Sequence, residues 1–342
     1  MSQAGARIGF SSDMFDPRGR PMFGTGPLSL LEEARLAWDV LPSPQGKLPD
    51  SAFTDYEALL IGGSRVSDAE LAHDTGKLRV VARNGVGYDA VDTAALDRHG
   101  ILLTNTPIPV RSAVATTAVA FILALSLRLP LKSRLARENR WSERGSHPGI
   151  GLGGRTLGIV GLGGIGRELV RLMQPYGMTI LAADPHVDAA VAAWTGAKLC
   201  ALDDLLTQSD FVVVACLLND ATRRLINADR LSRMRPSAFL INVARGPIVD
   251  EPALIEALKE GRIAGAALDV FEREPPDPAN PLLTMENVIT TAHCLCWTDS
   301  FVDAVACDAI SGIVDVLNGR LPRFVVNPEA RKHARVRRWL TA

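Results

Sequence analysis

Short apolar runs separated by amphipathic stretches set the pattern of this chain. In the first hundred residues Arg7-Ile8-Gly9-Phe10, Ala58-Leu59-Leu60-Ile61, Arg79-Val80-Val81-Ala82 and Ile101-Leu102-Leu103-Thr104 read as strands, with helical spacing over 28–37 and 89–99. A second series opens at Thr156-Leu157-Gly158-Ile159-Val160 and continues with strand-like runs at 179–183, 211–215, 239–243, 264–270 and 288–292. Strands alternating with helices imply βαβ units and parallel sheets. The expected class is α/β, with two doubly wound parallel-sheet domains and a cleft between them.

The apolar stretch 113–127 contains Thr116, Thr117 and Ser126 and falls short of the roughly 18 apolar residues a membrane span needs, so it reads as a buried helix. An amphipathic helix over 301–317 lies beyond the second series and is expected to return to the first. That makes the first domain discontinuous, residues 1–108 with 299–342, around a second domain at 109–298. Residues 16–27, dense in Gly and Pro, read as an exposed or active-site loop. The basic tail (Arg331, Lys332, Arg335, Arg337, Arg338) reads as solvated or subunit-contacting.

At 342 residues two domains are the natural expectation. The net charge of −1 offers no electrostatic case for nucleic acid or an anionic membrane. Five cysteines without a paired framework suit a reducing cytoplasm. Cys294 and Cys296 are one residue apart, the wrong spacing for a zinc knuckle, so no metal is expected. Residues 1–10 have no basic segment leading into an apolar one, and no secretory signal is expected.

Gly161-Leu162-Gly163-Gly164-Ile165-Gly166 follows directly on a strand and precedes an amphipathic stretch, the context a dinucleotide fingerprint requires. The glycines at 161, 163 and 166 permit a tight turn, backbone approach to a pyrophosphate, and close helix–strand packing. Asp184 ends the next strand, eighteen positions past the last glycine, where an acid binds ribose hydroxyls and repels a 2′-phosphate. The domain is therefore expected to be a Rossmann domain binding NAD rather than NADP. His186 reads as a surface residue on the adenosine side.

Arg245, Glu274 and His293 each lie at or just past the end of a strand-like run of that domain. Ligands of open parallel sheets sit outside the carboxyl ends of the strands. The planar guanidinium suits a substrate carboxylate, the imidazole moves a proton at the neighbouring oxygen, and the carboxylate orients the imidazole and favours its protonated form. Asp269, ending the strand that delivers Glu274, could hold the nicotinamide carboxamide. The set suits hydride transfer between a nicotinamide and a small 2-keto or 2-hydroxy acid, with His293 as general acid/base.

At these residues the chain resembles the D-isomer-specific 2-hydroxyacid dehydrogenases, which include phosphoglycerate, glyoxylate/hydroxypyruvate and D-lactate dehydrogenases. The resemblance runs from about 78 to 328. It is carried by residues 158–166, by Ile241-Asn242-Val243-Ala244-Arg245-Gly246 with Val249-Asp250-Glu251, by residues 264–275, and by His293. It implies a flavodoxin-like substrate domain whose Asn84, Val86 and Gly87 meet the substrate. It implies Gly164 and Ile165 at the pyrophosphate, Cys216 and Thr222 beside the nicotinamide-side ribose, and Val243 and Ala244 flanking the nicotinamide with Arg245. It also implies a homodimer through the apolar helix, with Trp141 nearby.

The chain departs from the family at Thr116, where a glutamate is usual, and at Leu217-Leu218-Asn219-Asp220. After His293 come Cys294-Leu295-Cys296-Trp297, bulky groups expected to reshape the pocket, with the 13–26 loop (Met14, Phe15, Phe23) as further wall. Arg83 or Arg111 could reach a phosphorylated substrate. Two other readings keep the scaffold: an NAD-sensing, corepressor-like binding protein, and a phosphite-type dehydrogenase. Glu274 argues against the formate type, which the resemblance gives a glutamine.

Overall fold

The computed structural model describes residues 5–72 and 75–340, in two compact units: Met1–Val110 with Trp297–Ala342, and Arg111–Cys296. The first holds five parallel strands, β1 (Arg7–Ser11), β2 (Ala37–Leu41), β3 (Ala58–Ile61), β4 (Val80–Arg83) and β5 (Leu102–Thr104), in the order β2-β1-β3-β4-β5. Successive side chains of a strand point to opposite faces. Ile8, Phe10, Leu60, Val80 and Ala82 thus share a core with Ala306, Ile310 and Ile313 of the helix Asp299–Leu317. Leu59, Ile61, Val81 and Leu103 share another with Phe53, Leu71 and Leu96. Burial on both faces is why these strands read as continuous apolar runs.

Several local expectations are corrected in this unit. The helix expected over 28–37 is only Ser29–Glu33. Arg35 adopts φ 55° and turns the chain into β2, a sheet-edge strand whose partly exposed residues give no apolar run. The 13–26 loop does line a pocket, through Asp16, Arg20, Met22 and Thr25 with Trp297, but not through Met14, Phe15 and Phe23. Those three are buried, and Phe15 and Phe23 cluster with Phe10 and Trp38 at ring-centroid separations of 5.2 to 6.4 Å. Nor is the basic tail wholly solvated. Ala334–Leu340 is a helix burying Val336 and Trp339, and the Arg335 guanidinium donates to the carbonyls of Thr75, Leu78 and His99.

The second unit holds seven parallel strands. These are β6 (Thr156–Val160), β7 (Thr179–Ala183), β8 (Lys198–Leu199), β9 (Phe211–Val214), β10 (Phe239–Asn242), β11 (Gly265–Leu268) and β12 (Val288–Thr290), in the order β12-β11-β10-β9-β6-β7-β8. Chain order reverses between β6 and β9, where open α/β sheets place their ligands. The two-residue β8 is too short to give a sequence period. The apolar stretch is the helix Val110–Ser126, whose Ala115, Ala118, Phe121, Ile122 and Leu125 pack against Leu157, Ile159 and Val213. Among the described residues no single helix is long and apolar enough to cross a membrane.

Candidate active site

The glycine-rich turn lies where β6 passes into the helix Gly164–Met173. Gly161 has φ +98°, and a Cβ there would lie 2.7 Å from the backbone of Cys216 just beyond β9. At Gly166 a Cβ would lie 2.2 Å from the Gly161 carbonyl oxygen. Gly163 differs, since a Cβ there would meet nothing within 4 Å. No side chain caps the helix, so its first-turn N–H groups stand uncovered beside that space. An uncapped helix start next to open room is what a pyrophosphate requires. Asp184, just past β7, accepts hydrogen bonds from the N–H groups of Leu162 (2.8 Å) and His186 (2.9 Å). Its half-buried carboxylate therefore ties the glycine turn to the end of the neighbouring strand. Burial pushes the Cys216 thiol up to about 11, so it packs as a neutral group under the turn.

Arg245, Glu274 and His293 come together on three successive loops. Asn242, buried at the end of β10, shapes the first of them. Its side-chain amide donates to the Arg245 carbonyl (2.9 Å), and its side-chain oxygen accepts from the Ala244 N–H (3.1 Å). A Cβ at Gly246 would fall 1.8 Å from the Phe271 carbonyl oxygen, so the Arg245 turn and the loop after β11 touch backbone to backbone. In that loop Glu274 accepts from the Phe271 N–H (3.0 Å) with one oxygen and meets His293 Nδ1 at 2.8 Å with the other. An Nδ1–H bonded to a carboxylate fixes the tautomer and leaves Nε2 available for proton exchange.

His293 adopts φ 52°, and its N–H donates to the Asp269 carbonyl (2.8 Å). The buried Asp269 carboxylate takes the Thr291 hydroxyl and the Leu295 N–H, bracing this turn from below. Burial raises the Glu274 carboxyl. The His293 hydrogen bond and charge, the Phe271 N–H and the Arg245 cation outweigh it and hold the group below its ordinary value. The result is an oriented imidazole–carboxylate pair beside a guanidinium. Among the described residues no cluster of His, Cys, Asp or Glu is arranged to hold a metal ion.

A model of the D-isomer-specific 2-hydroxyacid dehydrogenase NAD-binding domain matches residues 119–294, about half of the chain. The glyoxylate/hydroxypyruvate reductase B of Erwinia tasmaniensis is 39% identical over 285 residues, covering 82% of this chain and 88% of that one. This chain belongs to the D-isomer-specific 2-hydroxyacid dehydrogenases. The D-3-phosphoglycerate dehydrogenase of Archaeoglobus fulgidus is 38% identical over 272 residues, but those cover 80% of this chain and 51% of that protein. The chain thus spans about half the length of such relatives. The NADPH-dependent glyoxylate/hydroxypyruvate reductase of Sinorhizobium meliloti, solved with NADP and malonate, superposes with a TM-score of 0.79. It is 29% identical, with 97% of each chain covered.

The remaining family-matched positions fall in both units. In the NAD-binding unit Thr222 donates to the Leu217 carbonyl (2.6 Å) and accepts from the Asn219 N–H (2.8 Å), closing the loop after Cys216. Val243 is buried and Ala244 partly exposed. In the first unit the turn after β4 is built on Gly85 (φ +140°), with Asn105 donating to the Val86 carbonyl at 2.9 Å. The Asn84 side-chain oxygen is buried without a partner, and among the described residues no hydrogen bond engages the N–H groups of Val86 or Gly87. Sequence reasoning missed Asn242, Thr291 and Gly246 as the groups that place the site. The one available signal was an Asn ending a strand before a turn, a residue type whose side chain bonds nearby backbone.

Proposed function

We propose that this chain is an NAD-dependent dehydrogenase interconverting a small D-2-hydroxy acid and its 2-keto acid. The observation that carries the proposal is the 2.8 Å contact between His293 Nδ1 and Glu274, with the Arg245 charge close enough to act on that same carboxylate. Arg245 binds the substrate carboxylate and polarises the adjacent carbonyl. A bound nicotinamide supplies or accepts the hydride. In reduction, His293 Nε2 delivers a proton to the carbonyl oxygen as charge develops there; in oxidation it takes the proton back. Glu274 accepts the Nδ1–H and so orients the ring for that transfer.

The uncovered N–H groups at the start of the helix Gly164–Met173 take the pyrophosphate. Asp184 takes the adenosine ribose hydroxyls, and its negative charge disfavours a 2′-phosphate, hence NAD over NADP. Asp269 holds the His293 turn as well as standing at the nicotinamide side, with Cys216, Thr222, Val243 and Ala244 around it. The free N–H groups of Val86 and Gly87, beside Asn84, are suited to an anionic substrate group. Five unpaired thiols accord with a reducing cytoplasm. Exposed Leu127, Leu129 and Trp141, by the helix Val110–Ser126, accord with a homodimer.

The test is cofactor oxidation over 2-keto acids of graded size, with NADH and NADPH in parallel, for the wild type and His293→Ala. Turnover of at least one acid, faster with NADH, is expected, and His293→Ala should lower it by about 10²- to 10⁴-fold while NADH still binds. Undiminished turnover in the variant removes His293 as the acid/base. NADH binding without turnover of any acid defeats the enzyme reading.

A further inference from the structure

Arg111 opens the NAD-binding unit, one residue into the helix Val110–Ser126. Its side chain crosses to the glycine turn. A Cβ placed on Gly164 would meet Arg111 Nε at 2.6 Å, Cδ at 3.1 Å and Cγ at 3.2 Å. Gly164 is the first residue of the helix whose N-terminus has no cap, and its neighbour Gly163 faces open space. Among the described residues the Arg111 side chain makes no hydrogen bond or salt bridge; its charge acts on the Glu168 carboxylate from a distance. The nearest acid on that helix is Glu168, whose two carboxylate oxygens are both taken by Arg171, at 2.7 and 3.0 Å. An exposed guanidinium is therefore held, with donors unspent, over the positive end of a helix.

Two like-signed features in one place are electrostatically unfavourable until an anion joins them. We infer that Arg111 is a cofactor-binding residue, a side-chain clamp on the pyrophosphate that acts together with the backbone donors of residues 163–166. Gly164 serves this clamp by lacking a side chain, because any Cβ there would displace the guanidinium. The inference deepens the cofactor reading above and rests on it.

The test is direct binding, measured by calorimetry with NADH, ADP-ribose and adenosine on the full chain. Arg111→Ala should bind NADH and ADP-ribose about 10- to 100-fold more weakly, the range for a lost hydrogen bond to a charged group. Adenosine affinity should be unchanged, and Arg111→Lys should recover part of the loss. Gly164→Ala should also weaken ADP-ribose binding, and in a double-mutant cycle this effect should vanish once Arg111 is Ala. If Arg111→Ala binds ADP-ribose as tightly as wild type, or Gly164→Ala is equally harmful in both backgrounds, the clamp is wrong while the cofactor site stands. If the wild type binds neither NADH nor ADP-ribose, the cofactor reading falls with it.

Discussion

His293 occupies a left-handed backbone conformation that costs a branched or bulky side chain energy, and it keeps that conformation because Asp269 grips the turn on either side of it. The imidazole is thus aimed by its backbone as well as by Glu274. Glu274→Gln keeps the shape but replaces the charged acceptor that orients the ring with a neutral amide. It should lower keto-acid reduction about tenfold or more, measured at saturating NADH. The same variant has a stability signature. The Glu274 carboxyl is held below its ordinary value of 4.5, so its contribution is fully present above that pH and is lost as pH falls through the lowered folded value. The thermal midpoint of Glu274→Gln should therefore trail wild type at neutral pH, with the gap closing on acidification. A gap that widens in acid contradicts the ion pair. Arg245, Glu274 and His293 were legible in the sequence because their chemistry is distinctive and each follows a strand. Asn242 and Thr291 were not, since an amide or hydroxyl at a strand end is common and its role depends on which loop it meets.

At the scale of elements, the site depends on two loops that run against each other. Gly246 is the point of closest approach, and no side chain fits between the Arg245 turn and the Phe271 carbonyl. Gly246→Ala should force the loops apart, costing about 1–3 kcal/mol of stability, and it should also lower reductase activity by displacing Arg245. Thermal unfolding alongside steady-state rates checks both effects; a fully stable, fully active variant would show that the contact is slack. Most strands were readable within a residue or two, because strands buried on both faces are nearly all apolar. The exceptions were β2, at the edge of its sheet with partly exposed side chains, and β8, with only two residues. The helix Ser29–Glu33 is shorter than its sequence pattern predicts because amphipathic spacing continues past the point where Arg35 turns the chain.

On the molecular scale, the pairing of copies proposed above has a direct check. Leu127, Leu129 and Trp141 are 52, 57 and 59% exposed, large apolar side chains along one stretch of chain that a second copy would cover. Light scattering should give twice the chain mass for the wild type, and charged replacements at Leu129 and Trp141 should shift it toward the single-chain mass. A monomeric wild type would dismiss that pairing. Connectivity has a separate consequence. Ala306, Ile310 and Ile313 share a core with β3 and β4, so part of one face of the sheet laid down by the N-terminal residues stays uncovered until the chain has passed position 313. The intervening Arg111–Cys296 body is contiguous and has all of its own strands by then. During synthesis the inserted body can therefore mature first, while the earlier-made half waits with bare hydrophobic surface for a segment translated nearly three hundred codons after its opening strand.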